Sequence, residues 1–309
     1  MKQSRILAVS LVLAFLLPAV SGPKAETIET DHFVVTFEDV GRYYAGIVAK
    51  SAERQYTNVV RTLGHEPSSP ITIIIAADEK RFMALTREVL PDWSAAAALP
   101  GNRIVISPLK GRKIDVERIV AHETVHCVIN DASGGRYVPR WFHEGCAETV
   151  AGGLGIRGRA YIVWKVLSDD IMSFTDIERV FSRGAQDAGL AYDQSLIAVG
   201  YLMKIHGKDV LGAILSGMRD GLEFDAAFER ATGVAPKMFE TVCAVHIKKT
   251  YGWRAVVTVV PGTWTGILIL AFIVYAVKKY RTRKILKEWE TMEKPGNIID
   301  FSSFPPDDD

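Results

Sequence analysis

Two histidines and a glutamate within five residues are the part of this sequence best suited to chemistry. The segment reads His122-Glu-Thr-Val-His126, an HExxH pattern. On a helix, side chains four residues apart lie on the same face, so the two imidazoles would point the same way. Zinc binds neutral imidazole nitrogen at about 2 Å in tetrahedral geometry, and this pair supplies two such ligands. Glu123 is then close enough to take a proton from a water activated by the metal. The alternative is an ordinary helix with two surface histidines.

A second segment offers a third ligand. It runs from Pro139 to Glu148 and reads Pro-Arg-Trp-Phe-His-Glu-Gly-Cys-Ala-Glu. A zinc hydrolase needs three protein ligands and an open position for water. Glu144 lies 18 residues after His126, which leaves room for a loop and a return helix. Glu148 follows one helical turn later on the same face, where it could accept a hydrogen bond from the free ring nitrogen of a ligand histidine.

The two segments together resemble the gluzincin metallopeptidases, the peptidase MA-like superfamily that includes thermolysin and aminopeptidase N. The resemblance rests on HExxH followed by Trp-x-x-Glu-Gly-x-Ala-Glu. It implies that His122, His126 and Glu144 bind Zn²⁺ and that Glu123 is the general base. It also implies that Glu148 is the acidic partner of a ligand.

Two departures from that family pattern bear on the third ligand. The gap between His126 and Glu144 is one residue shorter than in aminopeptidase N, and His143 could compete as a ligand. We favour Glu144 because the Glu-Gly-x-Ala context carries the resemblance. The metzincin pattern is excluded because Ile129 and Ala132 stand where it requires Gly and His.

Hydrolysis also benefits from a hydrogen-bond donor to the developing oxyanion. The stretch that begins Tyr192-Asp-Gln-Ser resembles a helix of the smaller members of the superfamily, and Tyr192 is the candidate donor. Tyr201 and His206 are weaker candidates. The alternative is that Tyr192 is a helix-start residue packed on the core.

The cysteines are too few for a disulfide framework. Cys127 and Cys146 each lie close in sequence to a proposed ligand, so they could form a disulfide or be small buried side chains beside the site.

The element pattern predicts an α+β fold. A small N-terminal mixed sheet is expected from strands near residues 32–37, 71–76 and 102–107. The zinc-binding HExxH helix (116–130) and a second helix (140–151) follow, and then a mostly helical half. We assign residues 27–253 to the peptidase domain. The resemblance further implies that residues 97–105 form a sheet edge that pairs with extended peptide.

Both ends of the chain carry targeting signals. Residues 1–22 are typical of a signal peptide, with a basic start, a short apolar run and small residues. Residues 255–277 contain no charge and are long enough to predict one C-terminal transmembrane helix. Basic residues follow at once, which predicts a cytoplasmic tail over 278–309, partly disordered, and a peptidase domain outside the cytoplasm, periplasmic or extracellular.

These patterns together predict a membrane-anchored, extracytoplasmic zinc metallopeptidase with a peptide or protein substrate. The formal net charge of +1 gives no basic field for nucleic acid. One alternative is a non-catalytic, zinc-stabilised exported domain that binds peptide or protein. Another is a structural membrane protein with a fortuitous HExxH.

Overall fold

The chain is mostly helical with one small sheet. The computed structural model describes residues 25–38, 40–86, 95–108, 115–183, 188–252 and 261–292. The strands are β1 (Glu26–Glu29), β2 (Phe33–Phe37), β3 (Ile71–Ile75), β4 (Ala96–Leu99) and β5 (Arg103–Ile106). The helices are α1 (Arg42–Leu63), α2 (Glu79–Thr86), α3 (Val116–Ser133), α4 (Arg140–Ala151), α5 (Ile156–Leu167), α6 (Phe174–Arg183), α7 (Ala188–His206), α8 (Val210–Arg219), α9 (Phe224–Thr232), α10 (Pro236–Tyr251) and α11 (Pro261–Met292).

The sheet has the strand order β1-β2-β3-β5-β4. Strands β2, β3 and β5 run parallel to one another, whereas β1 and β4 pair antiparallel at the two edges. The strand that directly precedes α3 in sequence is β5, and it lies inside the sheet. The edge that the resemblance implied for residues 97–105 is therefore formed by β4 alone. An edge strand leaves one row of backbone groups free to pair with another chain.

Two apolar clusters lie on either side of α3. The sheet cluster contains Phe33, Ile73 and Ile104 together with Val120 and Cys127 of α3. The helical cluster contains other α3 residues, among them Val125 and Ile129, with α4 and the helices from α5 to α10. Because α3 is buried on both sides, its position relative to the sheet and to α4 is set by packing rather than by its own sequence.

The predicted transmembrane helix is wrong. Among the helices that the structure describes, none combines the length and the apolar composition needed to cross a bilayer. The described part of helix α11 runs from Pro261 and reaches a lysine at Lys278. Within that described part, the charge-free stretch is shorter than the roughly 20 apolar residues of a span.

That finding also corrects the fold class and the localisation. The α+β prediction included a C-terminal transmembrane helix, and the single-pass localisation and the membrane partner depended on it. The fold class and the localisation are contradicted in this respect, and membrane association through this helix is not supported. Part of the predicted tail is helical, since α11 continues to Met292. The predicted signal peptide at residues 1–22 lies outside the described residues, and the domain bounds 27–253 stay a prediction.

Candidate metal centre

Helix α3 presents His122, Glu123 and His126. It begins with a capping interaction in which the carboxylate of Asp115 accepts a hydrogen bond from the backbone N–H of Arg118, at 3.1 Å. It ends at Gly134, whose φ of 60° places it in the left-handed conformation that ends many helices. Between these ends the two histidines are four residues apart, and their rings meet edge to face with centroids 4.8 Å apart.

Helix α4 presents Glu144 and Glu148, and its position depends on Gly145. A Cβ at residue 145 would lie 2.3 Å from the backbone oxygen of Ser195 on α7. No side chain fits at that distance, so the helices approach closely only with glycine there. The Glu-Gly pair of the sequence motif thus has a packing reason, because the glycine lets α4 lie against α7 while the preceding glutamate faces the histidines of α3.

The three predicted ligands converge. The Nε2 atoms of His122 and His126 each lie 3.4 Å from Oε2 of Glu144. One ligand atom from each of the three residues lies within 4.8 Å of the others. Oε2 of Glu144 is buried and has no hydrogen-bond donor, a costly arrangement for a charged oxygen. Two imidazole nitrogens beside one buried carboxylate oxygen that accepts no hydrogen bond fit a zinc-type cation.

The charges of the site favour negative carboxylates beside a positive group. Burial alone would raise the pKa of Glu144, but the adjacent His126 and His122 hold it well below its ordinary value. Burial likewise opposes the charged form of His122, yet the carboxylates of Glu144 and Glu148 raise its pKa to about 10. The site therefore attracts a cation, either a proton or a metal ion.

Glu148 lies behind His122, as its position in the sequence predicts. Its Oε1 is 3.4 Å from Nδ1 of His122, and its Oε2 accepts a hydrogen bond from Arg118 at 2.8 Å. Burial raises the pKa of Glu148, but His122 and Arg118 outweigh this and lower it. The carboxylate can hold His122 with its Nε2 directed at Glu144.

His143 does not join the three ligands. Its Nδ1 lies 2.6 Å from Nδ1 of His126, and its Nε2 lies 3.2 Å from Oδ1 of Asn130. Burial, followed by the neighbouring His126, holds the pKa of His143 well below its ordinary value. Sequence reasoning missed Asn130, although its place four residues after His126 put it on the ligand face of α3.

The two proposed catalytic side chains lie beside the ligands. Glu123 is only 9% exposed. The ring centroid of Tyr192 lies 6.2 Å from that of His122 and 4.9 Å from that of Phe181. Burial, followed by the negative charges of Glu144, Glu123 and Glu148, raises the pKa of Tyr192 strongly, so its hydroxyl keeps its proton. The weaker candidates lie elsewhere, since Tyr201 stacks on His246 and His206 is exposed at the end of α7.

The cysteines are free thiols. All three are buried, and Cys127 packs in the sheet cluster whereas Cys146 packs in the helical cluster. Burial raises the pKa of both thiols, which favours the inert thiol form. Of the two interpretations, buried small side chains fit the structure and a disulfide does not.

A cleft of about 350 Å³ opens beside the ligands. It is lined by Ala98 of the edge strand β4 and by His126, Asn130, Tyr137, Val138, Arg140 and His143. An extended peptide in this cleft would lie beside Ala98 of β4 and next to the ligand His126.

One comparison with known proteins identifies the family of the chain. A family model described as the Peptidase MA superfamily matches residues 51–248, so the chain belongs to that superfamily, as the sequence motifs predicted. Membership supports a peptidase-like hydrolase and a metal at the site. Among solved structures, the chain is similar to a mutant of a two-domain M1 zinc metallopeptidase bound to L-arginine.

That likeness is remote. The two sequences are 13% identical, with a TM-score of 0.34, and the match covers 74% of this chain and 51% of the other. The chain thus spans about half the length of that structure. A comparison with curated proteins gives no match.

Proposed function

We propose that the chain is a zinc metallopeptidase that hydrolyses peptide bonds. The ligands would be His122, His126 and Glu144, with Glu123 as the general base. The observation that supports this most is the convergence of two Nε2 atoms on one buried, unpaired carboxylate oxygen. A peptidase needs an open cleft next to such a centre, and a cleft that borders the ligand His126 supports the proposal.

Residues of the chain itself would transfer the proton, stabilise the oxyanion and position a ligand. When bound, zinc supplies a Lewis acid that makes water a better nucleophile at neutral pH and polarises a carbonyl. The Glu123 carboxylate would take the proton of the attacking water and pass it to the leaving amine. The protonated hydroxyl of Tyr192 would donate a hydrogen bond to the oxyanion. Glu148 would hold His122 in the orientation that leaves its Nε2 free.

The decisive variant is Glu123→Gln in the full chain. Gln keeps the size of the side chain but cannot accept a proton. We expect bound zinc to stay at the wild-type level while cleavage of a peptide library falls by about 100-fold or more. Glu117→Gln is the matched control, because Glu117 is a partly exposed glutamate on the same helix, and it should leave cleavage unchanged.

The outcomes separate the proposed peptidase from its alternative. Equal cleavage by wild type and Glu123→Gln would remove the case for this active site. Stoichiometric zinc without cleavage by either protein would favour a non-catalytic, zinc-stabilised domain that binds peptide or protein.

The role of Tyr192 has its own test. Replacement of one oxyanion donor typically lowers kcat by about 100- to 1,000-fold. Tyr192→Phe should therefore lower kcat with little change in KM and zinc content. A fall in zinc content instead would indicate that Tyr192 only packs against His122.

A further inference from the structure

Both ring nitrogens of His143 have hydrogen-bond partners, the ligand His126 on one side and Asn130 on the other. Nδ1 lies 2.6 Å from Nδ1 of His126, and Nε2 lies 3.2 Å from Oδ1 of Asn130. The rings of His126 and His143 are 4.7 Å apart and tilted by 38°. His143 therefore links Asn130 to the outer side of His126.

Only one direction of the hydrogen bonds from His126 through His143 to Asn130 leaves His126 able to bind a metal. An amide oxygen accepts but cannot donate, so Oδ1 of Asn130 requires an N–H on Nε2 of His143. A neutral imidazole has one N–H and one lone pair, so Nδ1 of His143 is then an acceptor. It accepts the Nδ1–H of His126, and this leaves the lone pair of His126 on Nε2.

If these hydrogen bonds ran in the opposite direction, His126 could not bind a metal. If the amide of Asn130 were turned so that Nδ2 donated, Nδ1 of His143 would carry the proton and His126 would have to accept it. The N–H of His126 would then stand on Nε2, which faces Glu144 at 3.4 Å. A nitrogen that carries a proton cannot bind a metal.

We propose that His143, oriented by Asn130, is a positioning residue that sets the tautomer and the ring orientation of His126. This rests on the metal centre in the proposed function but not on peptide hydrolysis. It predicts that His143 contributes to metal affinity without being a ligand. The geometry supports this distinction, since both nitrogens of His143 are within hydrogen-bond distance of other groups, His126 and Asn130.

Variants of His143 separate a positioning residue from a ligand. In asparagine, Oδ1 is attached to Cγ just as Nδ1 is in histidine, so His143→Asn keeps the acceptor that faces His126. His143→Gln reaches only the position of Nε2, and His143→Ala removes both groups. We expect Zn²⁺ to bind His143→Asn almost as tightly as wild type. His143→Ala and His143→Gln should bind about 10- to 100-fold more weakly, the usual effect of losing an outer partner.

Variants of Asn130 test the direction of the link. Asn130→Asp has the same shape but only acceptor oxygens, so it should retain the wild-type affinity for Zn²⁺. Asn130→Leu removes the acceptor and should weaken binding. Equal affinities of Asn130→Asp and Asn130→Leu would overturn the proposed role of Asn130.

The measurement is the Kd for Zn²⁺ of the full chain, from competition with a chromophoric chelator, together with the unfolding midpoint of the stripped protein. His65→Ala is the matched control. The Nε2 of His65 lies 2.7 Å from Asp131, the residue after Asn130, so this variant loses a comparable histidine contact. It should lower the midpoint without changing the Kd.

Two results would overturn the proposal. One is an unchanged Kd in His143→Ala; if that variant does not fold, equal Kd values for His143→Asn and His143→Gln decide the same point. The other is a His143→Asn affinity as weak as that of a ligand variant. A chain that ranks the variants as expected but cleaves no peptide would overturn the proposed function and leave this inference standing.

Discussion

His122 and His126 of α3 both present Nε2 to Glu144, but the partners of their Nδ1 atoms differ. On one side, Nδ1 of His122 faces the carboxylate of Glu148, which is paired with Arg118. The side chain of Arg118 is 51% exposed, so this side is charged and reaches solvent. On the other side, Nδ1 of His126 faces His143 and then the amide of Asn130. That side consists of neutral hydrogen-bonding groups.

The difference shows which properties belong to each side. A carboxylate favours the protonated ring and accepts its N–H, so the His122 side responds to pH and to salt. An amide and an imidazole instead select a tautomer through the direction of their hydrogen bonds. The metal affinity depends on both sides, whereas the electrostatic part of that dependence should lie on the His122 side.

The largest effect should come from removing the oxygen that both histidines share. Glu144→Ala deletes a ligand, so we expect the affinity for Zn²⁺ to fall by more than the roughly 10- to 100-fold that loss of an outer partner costs. Chelator competition measures this. An affinity within that smaller range would mean that Glu144 is an outer group and that the third ligand lies elsewhere.

The second-largest effect should come from the close packing of Gly145 on α4 against α7. Gly145→Ala places a Cβ against the backbone of Ser195 and should lower the free energy of unfolding by about 1–3 kcal/mol. It should also weaken Zn²⁺ binding, since α4 carries Glu144, Glu148 and His143. Gly200→Ala on α7, where a Cβ meets nothing within 4 Å, is the control. It should leave the Kd unchanged and stabilise by up to about 1 kcal/mol.

Glu148→Gln should affect the His122 side alone. The amide keeps the shape and an acceptor but removes the charge, so we expect the Kd for Zn²⁺ to rise by about 10-fold. Glu53→Gln removes the charge beside Nδ1 of His32, at 2.8 Å, and should not change the Kd. If Glu148→Gln and His143→Ala are combined, their free-energy effects should add, because the two residues share no partner.

In the metal-stripped protein, the pH dependence of the free energy of unfolding should come mainly from His122. Its pKa is raised to about 10, against about 6.5 in an unfolded chain. A raised pKa gives stability that is complete below the unfolded value and is lost as pH rises toward the folded value. The free energy of unfolding should therefore fall between about pH 6.5 and pH 10, and more steeply in wild type than in His122→Ala. Parallel curves for the two proteins would contradict this.

The smallest effect should come from Arg118. It is half-exposed, and exposed ion pairs contribute about 0–1 kcal/mol. Arg118→Gln should raise the Kd for Zn²⁺ less than about five-fold, and the difference should shrink at high salt. A salt-independent difference would place Arg118 in a structural rather than an electrostatic role.

The sequence predicted the elements of the site better than their partners. The i, i+4 spacing placed His122 and His126 on one face of a helix, and the motif context selected Glu144 over His143. The charge-free run near the C-terminus led to a wrong prediction, because a count of uncharged residues does not show whether one helix is both long and apolar enough to cross a bilayer, and no described helix is. The role of Asn130 was missed because an asparagine one turn after a ligand has many local uses.

The sequence by itself determined the superfamily and the identity of the proposed ligands, since helical periodicity and residue chemistry act within a few residues of each other. Tertiary structure alone decided how those ligands are held. Gly145 lets α4 pack closely against α7, and in the folded chain α4 places His143 beside His126 and Glu148 beside His122. Which nitrogen carries a proton depends on a neighbour across space, and local sequence does not encode that neighbour.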